Sequence, residues 1–161
     1  MTQKKDRLDK LFEMQAQLNN KTFAKQRITS CESHLPLTME SLIALGSRDS
    51  NGGWIGDKDI GPNTDTNEWL KKYSWAMGDE LRELNDELLQ KWWSKDKLDM
   101  QNIRVEIIDQ LHFWLSLAMT AGMGAKEVFD IYEQKNKVNL DRQNSGYSKA
   151  TKDESDNVQI K

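Results

Sequence analysis

Two pairs of carboxylates constrain this chain more than any other feature. They are Glu80-Leu81-Arg82-Glu83 and Glu106-Ile107-Ile108-Asp109. Residues three apart on an α-helix are rotated by about 300°, so each pair shares one face, one turn apart. The second pair lies within the most apolar stretch, where a bare charge is costly. Two such helices face to face would enclose an acidic cleft. Like charges at that range repel and raise each other's pKa, so the cleft calls for cations. Hard oxygen ligands suit Mg²⁺ or Mn²⁺ rather than zinc. An isolated E-x-x-E in so charged a chain reads as solvated surface. The second pair, set among apolar residues, argues against that reading.

The helical period recurs on both sides of these pairs. Residues 6–27 read as an amphipathic helix, with Leu8, Leu11, Phe12, Gln15, Leu18 and Asn19 near one stripe. Gln15 and Asn19 put two amides on or beside that stripe. They are either partnered within the protein or reserved for a ligand. Thr38 is placed to cap a short helix ending at Leu45, with Gly46 as its stop. The glycine-rich segment that follows reads as a long loop, with Trp54 as a candidate lid or contact. A second long helix is expected from Thr66 or Asn67, along Trp69, Tyr73, Ala76, Met77, Leu81, Leu84 and Leu88. Its end is expected at Lys91-Trp92-Trp93, with lysines complementing the helix dipole. Residues 102–120 are apolar nearly all round and are expected to be the most buried helix. Glu106, Asp109 and His112 recur there every three residues. A turn at Thr120–Gly124 leads to a last helix over about 125–140. Lys135, Asn139 and Arg142 share one of its faces and could hold a polyphosphate. The polar end of the chain reads as a tail ordered only with ligand.

The 161 residues, 37% hydrophobic, suggest one all-α domain over 1–147 and a flexible tail over 148–161. The fold class expected is a helical bundle of four to five main helices. The formal net charge of −3 argues against a general nucleic-acid surface. One cysteine, Cys31, rules out an intrachain disulfide framework and fits a reducing cytosol. There is no apolar run long enough to cross a bilayer, nor a signal-peptide h-region at the N-terminus. A cytoplasmic protein is expected.

Taken together, the motifs resemble the all-α nucleoside triphosphate pyrophosphatases, in the branch of the dimeric dUTPases and the phage dCTPase/dUTPase enzymes. The resemblance is carried by Glu80-x-x-Glu83 and by Asn102-x-Arg104-x-Glu106-x-x-Asp109-x-x-His112-Phe113 with Leu115-Ser116. Further matches are Lys135-Asn136-x-x-Asn139-x-x-Arg142-Gln143-x-x-Gly146-Tyr147 and Met14-Gln15-x-x-Leu18-Asn19-x-Lys21-Thr22. The carboxylate pattern is shared with MazG-like enzymes. The segment from Lys135 to Tyr147 is more specific to this branch. The short turn after the apolar helix is similar to the phage dCTPase, since larger dimeric dUTPases carry a long insertion there.

The resemblance implies a homodimer with helices of both subunits around the sites. It implies Glu80, Glu83, Glu106 and Asp109 as ligands of Mg²⁺. It implies Lys135, Asn139, Arg142 and Tyr147 on the phosphates, and Gln15, Asn19 and His112 around base and sugar. Attack at the β-phosphorus would follow, with Glu80 or Glu83 taking the proton. The primary expectation is hydrolysis of dUTP to dUMP and pyrophosphate. The alternatives are a dCTPase or dual dCTPase/dUTPase, then a MazG-like enzyme. From another class stands an inert helical adaptor with an acidic face, disfavoured by the phosphate-type residues beside the metal-type ones.

Overall fold

The computed structural model describes residues 6–47, 60–89, 93 and 95–144. Among these residues the chain is all-α, with five helices and one isolated β-bridge, Thr29 to Pro36. They divide into two compact units, one ending at Met123 and the other starting at Gly124.

In the first unit, α1 (Arg7–Gln26) starts at a capping box of Asp6 and Asp9 and stops where Arg27 turns left-handed, with φ 54°. It buries Phe12, Gln15, Asn19 and Phe23, while Leu11, Met14 and Leu18 are exposed. The buried stripe therefore runs through the amides and leaves the leucines outside. α2 (Met39–Gly46) is capped by Thr38, whose hydroxyl accepts from the Ser41 amide. Met39 and Leu42 have no exposed surface. Gly46 is the last residue of α2 rather than a stop beyond it. A Cβ there would lie 2.6 Å from the Thr120 carbonyl, and one at Gly122 would lie 2.1 Å from the Gly46 carbonyl. Gly122 also has φ +77°, which favours glycine. These two glycines let the end of α2 meet the end of α4 backbone to backbone.

α3 (Asp65–Glu87) is capped by Thr64 and packs most extensively on α4 (Met100–Thr120), which Asp99 caps. α3 begins one residue before the expected start and ends earlier than expected, with Leu88 as its cap and no basic residue in its last turn. The lysine at position 91 lies outside the described residues. Trp69 of α3 stacks between Phe23 and Tyr73, at 4.6 and 5.3 Å between ring centroids. α4 departs from the expectation of a helix buried all round. Its C-terminal half is covered at Leu115, Ser116, Ala118, Met119 and Thr120, where α1 and α2 reach it. In its N-terminal half Ile103 is buried, but Val105, Ile107 and Ile108 are 44 to 51% exposed.

The start of α3 is tied to the loop after α1. Asp65, 1% exposed, accepts from the Ser30 hydroxyl and from the Cys31 amide at 2.8 Å. Glu32 in turn accepts from the Asp65 amide at 2.9 Å. Burial raises the Asp65 pKa, but the bonds from Ser30 and Cys31 outweigh it and hold the carboxyl below its ordinary value.

The second unit contains α5 (Ala125–Asn144), which runs four residues beyond the expected end and so includes Arg142. An ion pair of Lys126 with Asp130 lies on its exposed first turns. Trp54, Tyr147 and the 148–161 tail fall outside the described residues.

The Asp65 clasp yields a stability prediction. Because its folded pKa is depressed, the clasp contributes fully above the unfolded carboxylate range. That contribution fades as pH falls through the lower folded value. Asp65→Asn should destabilise the protein by about 1–3 kcal/mol at pH 7, the cost of breaking a buried charge-assisted network. The loss should shrink in acid. Urea melts at pH 7 and pH 3.5 test this, and an equal loss at both would refute it.

Candidate active site

Glu80 and Glu83 project from α3 one turn apart, and Glu106 projects from α4 across the helix pair. One carboxylate oxygen from each of the three lies within 4.8 Å of the other two. The helix register does this. The i, i+3 spacing aligns Glu80 with Glu83, and the α3–α4 packing brings Glu106 opposite them.

The carboxylates repel one another. Burial first, then Glu83, Asp109 and Glu106, raise the Glu80 pKa above the ordinary carboxylate value. Glu106 is also raised, by burial and then by Glu83, Asp109 and Glu87, against a smaller opposing bond from Asn102. Asp109 thus contributes to the field on both groups, although it is not among the three converging carboxylates. The Asn102 amide donates to Glu106 Oε1 at 3.4 Å. Glu106 Oε2 is shielded from solvent and has no hydrogen-bond partner among the described residues. A buried anionic oxygen without a donor is unfavourable as it stands. A divalent cation would satisfy it and reverse the repulsion, so the donor set fits a hard metal ion.

Gln15, Asn19 and His112 are brought together one helical turn further along α4. The Gln15 amide nitrogen donates to Asn19 Oδ1 and to Ser116 Oγ, both at 3.0 Å. The Asn19 amide nitrogen donates to Ser116 Oγ at 3.0 Å and to Met39 Sδ at 3.3 Å. Gln15 Oε1 lies 2.6 Å from His112 Nδ1. The two amides are therefore partnered inside the protein, while the His112 side is exposed. Ser116 and Met39 were given no role by the sequence reading. The signals were a serine one turn beyond His112 inside an apolar run and its place in the Leu115-Ser116 pair that carried the resemblance. Lys135, Asn139 and Arg142 lie on α5, in the second unit, at i, i+4 and i+7.

Cys31, Glu32 and Asp65 also converge within 4.8 Å. Their oxygens are already used to tie the loop after α1 to α3. Burial and then Asp65 push the Cys31 thiol up to about 11, which keeps it protonated and a poor ligand. This second cluster is a structural clasp.

The family model described as dUTPase matches residues 55–126, which include Glu80, Glu83, Glu106, Asp109 and His112. The dCTP pyrophosphatase of Enterobacteria phage LZ5 is 34% identical over 79 residues, covering 49% of this chain and 40% of that protein. The dCTP pyrophosphatase of Enterobacteria phage T4 is 32% identical over 80 residues, covering 50% and 40%. The chain thus spans well under half the length of these curated relatives. No solved structure matches it significantly. Among the described residues no helix is long and apolar enough to cross a membrane. The matched segment carries the paired carboxylates on an all-α framework, and the family model and the two phage relatives together support a likeness to the dUTPase/dCTPase branch of the all-α nucleoside triphosphate pyrophosphatases.

Proposed function

We propose that this chain is a metal-dependent deoxypyrimidine triphosphate pyrophosphatase that takes dCTP first, in the reaction dCTP + H₂O → dCMP + pyrophosphate. The observation that carries the reading is the convergence of Glu80, Glu83 and Glu106 around an oxygen of Glu106 that lacks a donor. The preference for dCTP reverses the primary expectation from sequence. It is supported by the two phage relatives, both named dCTP pyrophosphatase. dUTP stands second, because the family matching residues 55–126 is described as dUTPase.

Glu80, Glu83, Glu106 and Asp109 are proposed to hold Mg²⁺, with Mn²⁺ as a substitute. The bound ion supplies charge neutralisation for the triphosphate and polarisation of the attacking water. Glu80 or Glu83 takes the proton from that water. Asn102 orients Glu106 through its Oε1 and leaves Oε2 for the ion. Lys135, Asn139, Arg142 and Tyr147 are proposed to hold the phosphates, with the two cations balancing charge on the β- and γ-phosphates that become pyrophosphate. Gln15, Asn19 and His112 are proposed to lie around base and sugar.

We further propose a homodimer. Trp75, Leu81, Val105, Ile107, Ile108 and Trp114 are exposed apolar residues on the α3–α4 pair, and a second copy would cover them. Light scattering at micromolar concentration should give twice 18.7 kDa, and a species of 18.7 kDa alone would refute this.

Glu106→Gln removes one charge from a repelling cluster. Its metal-free melting temperature should equal or exceed that of the unaltered protein at pH 7. Mg²⁺ should raise the melting temperature of the unaltered protein but raise the variant's much less. Turnover should fall by more than the ~100-fold reached by substitutions one layer outside a metal. Metal-free destabilisation together with retained turnover would remove Glu106 from the site.

Substrate choice is settled by pyrophosphate release with Mg²⁺. The kcat/KM for dCTP should exceed that for dUTP, and both should exceed dTTP and purine triphosphates by at least about tenfold. Equal rates on purines would favour the MazG-like alternative. No release from any nucleotide would favour the adaptor.

A further inference from the structure

The buried cluster behind His112 has one consistent proton arrangement, and Ser116 sets it. Ser116 Oγ is fully buried and lies 2.9 Å from the His112 carbonyl, one turn back on α4. A carbonyl has no proton, so the single hydroxyl proton belongs on that bond. Asn19 Oδ1, at 3.4 Å, is the more distant acceptor. Oγ is then an acceptor toward its other two neighbours, the amides of Gln15 and Asn19 at 3.0 Å each. Both must turn their NH₂ groups toward it. Flipping Asn19 would set its NH₂ against that of Gln15, where Gln15 Nε2 now donates to Asn19 Oδ1. With Gln15 held this way, its Oε1 faces His112 Nδ1 at 2.6 Å. An amide oxygen only accepts, so Nδ1 carries the proton. In the neutral ring Nε2 is left as a bare lone pair.

That lone pair has no protein partner among the described residues, and His112 is exposed. Along α4, Glu106, Asp109 and His112 follow at three-residue intervals. His112 therefore stands about 9 Å in helix rise beyond Glu106 and about 120° round the helix from it, with Asp109 midway. A nucleotide with its phosphates at the carboxylates would reach His112 by running along α4 past Asp109 and round the helix.

We infer that Ser116 is a positioning residue which, through the Gln15 amide, locks His112 with its proton on Nδ1, so that Nε2 accepts a hydrogen bond from a donor on the substrate nucleoside. This rests on the nucleotide reading above. The donor is the 3′-hydroxyl of the sugar or an N–H of the base, the amine of cytosine or the imide of uracil.

The test has a readout that does not depend on activity. ¹⁵N spectra of the neutral His112 ring, assigned by loss of its signals in His112→Gln, should show Nδ1 protonated and Nε2 bare. Ser116→Ala should move population to the Nε2-protonated form while keeping its helical signal. The unaltered protein is assayed first for Mg²⁺-dependent pyrophosphate release. Failure there, with the tautomer as expected, removes the nucleotide reading and leaves the lock standing. Given activity, Ser116→Ala and His112→Gln should raise KM about tenfold with kcat little changed, the signature of one lost binding hydrogen bond. 2′,3′-Dideoxy analogues of dCTP and dUTP separate the two donors. If the penalty vanishes on them, the donor is the 3′-hydroxyl. If it persists, the donor is the base. Protonated Nε2 in the unaltered protein overturns the inference, as does an unchanged tautomer in Ser116→Ala.

Discussion

The mutual repulsion of Glu80, Glu83 and Glu106 across α3 and α4 is the constraint that the first unit is built around. Left alone, it would push the two helices apart. The devices that hold them lie elsewhere along the pair. α3 is fixed at its start by Asp65 and by the Phe23–Trp69–Tyr73 stack. About 22 Å of helix rise separates Asp65 from Glu80. α4 is fixed toward its C-terminus by Ser116, Thr120 and the close approach of Gly122 to Gly46. The acidic cluster can therefore remain unneutralised without unfolding the unit, because packing stabilises one end while charge destabilises the other. Such an arrangement keeps the proposed metal ligands apart from the groups that maintain the fold.

α4 carries three different environments along one helix. Its C-terminal third is core. Its middle presents His112, backed by buried amides. Its N-terminal half pairs Glu106 and Asp109 with exposed Val105, Ile107 and Ile108. Apolar residues flanking the carboxylates have a physical use. They lower the local dielectric and so strengthen attraction between the carboxylates and any cation between them. Covering those residues on dimer formation, as proposed above, would strengthen it further.

Much of this was legible in the sequence, for reasons that can be named. Thr38 marks a helix start because a capping side chain acts within three residues of itself. The carboxylate pairs were visible because helical spacing translates directly into a shared face. What escaped depends on contacts distant in sequence. Gly46 looked like a stop signal, but its role is a backbone approach to residues more than seventy positions away. Asp65 ties the start of α3 to Ser30 and Cys31, more than thirty positions away, which no local pattern signals. The exposure of Ile107 and Ile108 escaped because periodicity reports hydrophobicity, not what covers it. Ser116 escaped because a serine inside an apolar helix ordinarily bonds back to its own helix, which it also does here.

The amide network also changes how the choice between cytosine and uracil must be argued. From sequence, Gln15 or Asn19 could serve either base, since a side-chain amide carries a donor and an acceptor and can turn over. The packed cluster removes that freedom. Both NH₂ groups are committed to Ser116, Gln15 Oε1 is committed to His112, and Asn19 Oδ1 to Gln15. Turning either amide would place donor against donor in a buried site, at the cost of an unsatisfied pair. Under the proposed reading the amides would act through His112 rather than as adaptable readers. A lone pair on Nε2 accepts equally from the cytosine amine or the uracil imide. It cannot by itself separate the two bases, whose difference lies in the atom at N3 and the group at C4. Discrimination therefore requires a second group, one that tells a bare N3 from N3–H. Within the first unit, the network behind His112 supplies orientation and not that distinction.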